Sequence, residues 1–100
     1  MKPIYKNITS TGITTLMAKN SAGRGTVNKI TISNNSSSNS AVVSLQLWDG
    51  SSVGYNFIGN MTIPNGVVLV LDDNLSFDRT IYILRMEVSG TSPILDVIIK

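Results

Sequence analysis

The chain contains no histidine and no cysteine, and this limits the chemistry that its side chains can perform. Histidine is the usual general base near neutral pH, and cysteine is the usual thiolate nucleophile. Ser-His-Asp and Cys-His catalytic arrangements therefore cannot form. The six acidic residues are the remaining acid–base groups, and a hydrolytic carboxylate pair needs two acids held at a set separation. We expect that the protein is not an enzyme and has no cofactor.

Three of the acids, Asp72, Asp73 and Asp78, lie close together in the sequence. Loop carboxylates are ligands that Ca²⁺ prefers, and Asp49 would join them if their loops met at one end of the molecule. The spacing matches no EF-hand loop. The interpretation we favour is that these acids form solvated turns, so we expect no metal site.

Basic residues are scattered along the chain rather than clustered. A nucleic-acid-binding surface needs a basic patch, so the sequence predicts no nucleic-acid partner. Arg24 lies in the segment SAGRG, whose glycines resemble those of a phosphate-binding loop. No Gly-Lys-Ser/Thr follows, and the segment is better explained as a flexible loop between strands.

Aromatic and charged side chains mark several candidate contact points. Trp48 and Tyr55 flank a short polar loop, where their rings could stack on a sugar, insert into a partner or cap the core of this domain. Arg85 and Glu87 share one strand face, either as part of a cross-strand charge pair or as a contact with an adjacent subunit. The candidate interaction residues are Trp48, Tyr55, Arg24, Arg85 and Lys100.

Residues 55–71, YNFIGNMTIPNGVVLVL, indicate how the elements around these side chains are built. Apolar residues at a spacing of two predict a strand, and Pro64-Asn65-Gly66 predicts a turn. Residues 67–71 are apolar on both faces, which is typical of a strand covered from both sides. The segment is therefore expected to form two strands joined by the turn.

Similar patterns occur along the rest of the chain. We predict strands over residues 12–18, 26–34, 41–48, 80–88 and 94–100, with residues 75–78 as a connector that closes one end of the core. Residues 1–10 form either an edge strand or an arm that docks on a partner. Seven or eight short strands with regular turns predict one all-β domain over residues 1–100, an antiparallel β-sandwich that is jelly-roll-like or Ig-like. Because the sequence ends within the last strand, we expect its edge to need a neighbour, such as another subunit.

The composition also bears on partners and location. Charged residues make up 14% of the chain, against about 25% in typical soluble domains. Such a surface suits contact with other protein, although a stable β domain with polar loops would have the same composition. No apolar run is long enough to span a bilayer, and the N-terminus lacks the apolar block of a signal peptide. We expect assembly in a cytoplasm and no membrane partner.

Three segments resemble a known group of proteins: residues 23–36 (GRGTVNKITISNNS), residues 63–77 (IPNGVVLVLDDNLSF) and residues 95–100 (LDVIIK). They are similar to small virion structural proteins of tailed phages that infect marine bacteria, cyanobacteria included. The resemblance implies a capsid decoration or cement protein that binds the major capsid protein as a homo-oligomer, with a trimer favoured. It implies a place on the capsid surface after assembly in the host cytoplasm. The alternative is a tail, neck or fibre component with a carbohydrate-binding role.

Overall fold

The computed structural model describes residues 3–21, 24–52, 54–72 and 74–100, with the backbone alone at Arg24. Within these ranges the chain forms ten β-strands and no helix. In chain order the strands are β1 (Ile4–Ile8), β2 (Gly12–Met17), β3 (Arg24–Val27), β4 (Ile30–Asn34), β5 (Ala41–Trp48), β6 (Gly54–Ile63), β7 (Val68–Leu71), β8 (Leu75–Asp78), β9 (Ile83–Gly90) and β10 (Leu95–Ile99).

Eight of these strands form two four-stranded antiparallel sheets. The first sheet has the order β1-β10-β4-β7, the second has the order β2-β9-β5-β6, and β3 pairs with β8 in a separate ribbon. Most successive strands alternate between the two sheets, which is the connectivity of a jelly roll. The prediction of an all-β antiparallel sandwich is confirmed, and of the two architectures considered the jelly-roll-like one fits.

Ten strands rather than seven or eight result from two local differences. The predicted strand over residues 26–34 is two strands, because the backbone N–H groups of Asn28 and Lys29 both donate to the carbonyl of Lys100 and interrupt the ladder. The predicted connector at residues 75–78 is itself a strand, β8. Its Phe77 is buried in the core and Leu75 packs against the core.

The core lies between the two sheets and follows the period of two that the sequence shows. In β10, Leu95, Val97 and Ile99 are buried while the residues between them face outward. The same alternation holds for the central strands β4 and β9. The largest of the completely enclosed side chains are Met17, Val27, Ile32, Val43, Leu45, Ile63, Leu84, Met86, Val88, Leu95, Val97 and Ile99. These apolar faces are what hold the sheets together.

Strand β2 departs from the predicted alternation. The sequence pattern places Met17 on the same face as Ile13 and Thr15, yet Met17 is buried while Ile13 and Thr15 are exposed. The register between β2 and β9 shifts between Thr15 and Met17. An extra residue in one strand reverses the faces beyond it, so Leu16 and Met17 both reach the core.

The predicted turn at Pro64-Asn65-Gly66 is present and joins two strands of different sheets. The Val67 N–H donates to the Pro64 carbonyl over 3.2 Å, and Gly66 has the positive φ that glycine tolerates. Strand β7 is not covered from both sides, contrary to the prediction. It is an edge strand of the first sheet, and its Val68 and Val70 are 50% and 48% exposed.

Strand β10 lies in the interior of the first sheet, between β1 and β4. The neighbours that its edges were expected to need are therefore strands of the same chain and not a strand from another subunit. Strand β1, near the N-terminus, pairs with it on one side, and Leu95 is opposite both Ile8 and Asn34. Residues 4–8 form an edge strand, one of the two alternatives for that segment.

A first prediction concerns deletion of residues 95–100. The deletion removes a strand bonded on both sides and three buried side chains worth about 1.5–3 kcal/mol each, which is comparable to the whole stability of a small domain. We expect an unfolded chain with no cooperative thermal transition by circular dichroism, whereas Lys100→Ala keeps the transition. A cooperative melt of the truncated chain would show that β10 is dispensable.

Buried Asn34 ties the loop of residues 35–40 to the turn between the sheets. Its side-chain amide donates to the carbonyls of Ile63 (2.8 Å) and Asn39 (3.1 Å), and its side-chain oxygen accepts from the Ser36 N–H (3.1 Å). Its backbone N–H and carbonyl bond to Val67 and Gly66. One side chain thereby satisfies three backbone groups, and its bonds to Ile63 and Ser36 are buried.

A second prediction follows for Asn34→Ala. The substitution leaves three backbone groups without their partner, so we expect a loss of about 2–4 kcal/mol in the free energy of unfolding, measured with urea. Asn65→Ala is the control, because exposed Asn65 makes a single 3.3 Å side-chain bond to the Ser37 carbonyl; its effect should stay within about 0.5 kcal/mol. Equal effects of both substitutions would contradict the role assigned to Asn34.

Candidate functional site

Trp48 and Arg85 are in direct contact on the outer face of the second sheet. The Arg85 guanidinium carbon lies 4.1 Å from the centroid of the Trp48 ring, a cation–π arrangement. Trp48 does not cap the core, because it sits on the face opposite buried Val43 and Leu45. With Arg85 over its ring, Trp48 does not offer that face as an open platform for a sugar.

Arg85 also belongs to a hydrogen-bonded line across three strands. Its Nε donates to the Gln46 side-chain oxygen, and the Gln46 amide donates to the Asn56 side-chain oxygen over 2.7 Å. The contacts of Arg85 are thus to an amide and an aromatic ring within the same domain. These hydrogen bonds fix the orientation of Arg85 and Gln46 on the exposed face. The sequence, in which Arg85 and Glu87 share one strand face, did not predict this structural role.

Tyr55 lies near the start of β6 in the second sheet and is 57% exposed. Its ring meets that of Tyr82 edge to face, with 5.8 Å between centroids and 73° between planes. Desolvation, with a smaller contribution from the hydrogen bond to Tyr55, raises the pKa of the Tyr82 hydroxyl. Trp48 and Tyr55 thus contact different side chains, Arg85 and Tyr82 respectively, although they flank the same loop.

The glycine-rich segment around Arg24 has a packing role in its described part. Gly23 and the side chain of Arg24 lie outside the described residues. Gly25 is buried in β3, and a Cβ added there would lie 2.8 Å from the Phe77 ring and 2.6 Å from the Arg79 Cγ. Glycine is needed here because the Phe77 and Arg79 side chains pack closely against the strand. Residues 24 and 25 thus belong to a strand and not to the predicted flexible loop.

Two of the loop carboxylates, those of Asp49 and Asp78, accept hydrogen bonds within turns. Asp49 accepts the backbone N–H groups of Ser51 (2.8 Å) and Ser52 (3.0 Å). Asp78 accepts the backbone N–H of Thr80 (2.9 Å) and its hydroxyl (2.6 Å). Asp73 lies outside the described residues, and within the described ranges no three acidic side chains are grouped as metal ligands. The interpretation as turn-forming residues agrees with these bonds.

The outer face of the first sheet carries a set of residues that sequence analysis missed. Residues directly opposite each other in antiparallel strands share a face. One row of such partners crosses all four strands: Tyr5, Ile98, Thr31 and Val70. Tyr5 is 68% exposed and Val70 is 48% exposed. We call these four residues the apolar row.

Polar groups border the apolar row on both sides. On one side, the Asp96 carboxylate accepts the side-chain amides of Asn7 and Asn35, the latter over 2.6 Å. On the other side lie the ends of the strands, where the backbone of Lys100 pairs with that of Lys29. Lys100, a predicted interaction residue, is exposed beside the row. The alternation of residues in β1, β4 and β10 indicates which side chains share a face within each strand. Only the order of the strands in the sheet shows that the outward-facing residues of different strands align.

The flank between edge strands β6 and β7 is also uncovered. A groove of about 270 Å³ opens there, lined by Ile30, Phe57, Ile58, Leu71, Asn74 and Leu75. The sequence from residue 50 to residue 71, which includes both strands, contains no charged residue. This flank therefore presents apolar and neutral polar groups only, an uncommon property for a solvent-exposed edge.

The chain matches no protein-family model and no curated protein. Similar solved chains come from infectious bursal disease virus. One is in the structure of the Gt strain, 15% identical over 98% of this chain and 32% of that chain, with a TM-score of 0.48. Another is in T=1 particles derived from the virus, 10% identical over the same shares, with a TM-score of 0.38. This chain spans about a third of the length of these solved chains.

In the described ranges, no helix is long and apolar enough to cross a membrane.

A third prediction concerns the acidity of Asp78. The hydrogen bond from the Thr80 hydroxyl, and next the one from its backbone N–H, lower the pKa of Asp78. A carboxyl with a lowered pKa in the folded state contributes stability above its unfolded pKa, and this is lost as the pH falls through the folded value. Thr80→Val removes the first bond, so we expect NMR titration to show a higher Asp78 pKa in the variant. Thr26→Val, an exposed substitution on the ribbon, is the control, and an unchanged Asp78 pKa in Thr80→Val would contradict the assignment.

Proposed function

We propose that this chain is a structural protein of a virus particle, a decoration or cement protein that binds the major capsid protein at the capsid surface. Three features support the proposal. The sequence resembles small virion proteins of tailed phages. The jelly-roll connectivity is one that viral capsid domains use, although lectins and cupins share it. The weakly charged composition suits a surface that is covered by other protein.

The apolar row on the first sheet is the observation that carries the proposal. Tyr5, Ile98 and Val70 face outward from a rigid sheet, and no described element of the chain packs over that face. Tyrosine is enriched at protein interfaces because its ring is apolar and its hydroxyl bonds at the rim. Lys100 and Asp96 border the row and would set the orientation of a partner.

The physical effect of such docking would be stabilisation of the shell. Covering exposed apolar surface contributes roughly 25 cal/mol per Å² before the costs of association. Those costs are reduced here because the row lies on paired strands whose backbone is already ordered. A domain that contacts two neighbouring capsid subunits would oppose their separation, without any chemical step.

The remaining parts of the proposal follow from this role. The chain acts by binding and not by catalysis, since its sequence lacks histidine and cysteine. It needs no cofactor, and its partners are capsid protein and further copies of itself rather than nucleic acid or membrane. It would join the particle during assembly in the host cytoplasm.

A fourth prediction tests the row. Capsid shells assembled without this chain are mixed with the purified protein, and the bound fraction is measured by co-sedimentation. We expect Tyr5→Lys to weaken binding about tenfold or more, because it places a charge in the apolar row. Ile13→Lys is the matched control, since Ile13 is similarly exposed, at 55%, on the second sheet, and should bind as the unchanged protein does. Equal binding of both variants would reject the first sheet as the docking face.

A tail, neck or fibre component with a carbohydrate-binding role is the second candidate, and exposed Tyr55 favours it. Its ring stands beside Tyr82 at a loop-rich end, a position from which aromatic rings stack on sugars. The same mixing experiment separates the two candidates, because a tail component would not bind shells of major capsid protein. Binding to a glycan array that Tyr55→Ala abolishes would favour the second candidate.

A further inference from the structure

The two sheets leave four edge strands, and three of them have features that oppose pairing with another strand. Strand β1 carries Lys6 opposite Val97, a charge on the inward-facing side of the strand. Strand β2 has a bulge after Thr15, and β6 has two register shifts and a positive φ at Asn60. Inward charges and bulges are known to protect sheet edges from association.

Strand β7 has none of these features. Its ladder with β4 is regular from Val68 to Leu71, and backbone bonds between Asn34 and both Gly66 and Val67 extend it. Residues 67–71 are all aliphatic, and no described strand pairs with their outer edge. Val68 and Val70 face outward, while half-buried Leu69 and Leu71 face the core side.

We propose that β7 pairs with β7 of a second copy of this chain, antiparallel and about a two-fold axis centred on Leu69. Each Leu69 is then opposite its own counterpart, each Val68 is opposite the partner's Val70, and each Val67 is opposite the partner's Leu71. The two first sheets become one continuous eight-stranded sheet. This pairing does not depend on the proposed function.

The absence of charge favours a second copy as the occupant of this edge. Complementary charges steer a foreign partner to its site and suppress wrong partners, and residues 50–71 carry no charge that could do this. Two identical charged edges would repel, whereas two identical neutral edges do not. A two-fold axis also places the same surface on both sides of the contact, so one strand serves as both donor and acceptor of the backbone bonds.

The register follows from the ends of the apolar run. A centre at Leu69 pairs all five aliphatic residues, 67–71, with one another. A centre at Val70 would instead place Val68 opposite Asp72 and Val67 opposite Asp73 of the partner, so neither valine would meet an aliphatic residue. The first register also brings the partner's Val67 beside Leu71, at the mouth of the groove that Leu71 and Ile30 line. The partner strand would thus cover the open flank of the sandwich.

The test is the mass of the purified protein in solution, measured by sedimentation equilibrium from about 1 µM to about 100 µM. We expect twice the 10.8 kDa of one chain. In the double variant Val68→Lys/Val70→Lys, lysines lie directly opposite each other at two places, and in Val68→Lys/Val70→Glu each lysine lies opposite a glutamate. Both variants lose the same valines, so only the sign of the charge differs.

We expect the lysine–lysine variant to dissociate about tenfold or more readily than the lysine–glutamate variant. A centre at Val70 predicts no such difference, because both variants would then place like charges opposite each other at residue 70. Tyr5→Lys, on the other edge strand of the same sheet, is the control and should leave the mass unchanged. Thermal melts of all variants check that each one is folded.

Three results would overturn the proposal: a monomeric mass over the whole concentration range, equal dissociation of the two double variants, or the trimeric mass that the family resemblance implies. A monomeric mass would overturn it even if β7 were found to bind a strand of another protein. A dimer with the charge dependence described would support both the partner and the register.

Discussion

The burial of two apolar faces against each other is the constraint on which this structure depends. Exposing the apolar face of either sheet to water would cost free energy, so each inward-facing side chain requires the opposite sheet to cover it. Strand β10 shows this most clearly, since its Leu95, Val97 and Ile99 are buried and both of its edges are paired. Asn34 meets the remaining requirement, because the chain must cross between sheets without leaving buried backbone groups unpaired.

Local patterns were enough to predict much of this fold. The period of two in residues 94–100 predicted two opposed faces of β10, one of which is buried, and Pro64-Asn65-Gly66 predicted the turn. The pattern failed where pairing with a distant strand decides the outcome. The bulge in β2 reversed the face of Met17, and the bonds to Lys100 divided the predicted strand over residues 26–34. Neither partner is near in the sequence.

The candidate surfaces were harder to predict than the core. The predicted contact residues include Trp48 and Tyr55, which flank a loop, and Arg85, which lies on a strand face. In the structure the Arg85 guanidinium lies over the Trp48 ring. The apolar row consists instead of residues from four strands, each unremarkable in its own segment. Their alignment depends on sheet order, which places the N-terminal strand and β7 on opposite edges of one sheet. The interior position of β10 likewise depends on its pairing with β1 and β4, which cannot be predicted from residues 94–100 alone.

The face and the edge of the first sheet would make separate contacts. The apolar row would meet the capsid shell, and the edge of β7 would meet a second copy, so self-association need not compete with docking. A reconstruction of the intact particle in which this domain is resolved tests the central claim most directly. We expect the domain on the head, with the outer face of its first sheet against the shell. A domain on the tail, or on the head with that face turned to solvent, would contradict it.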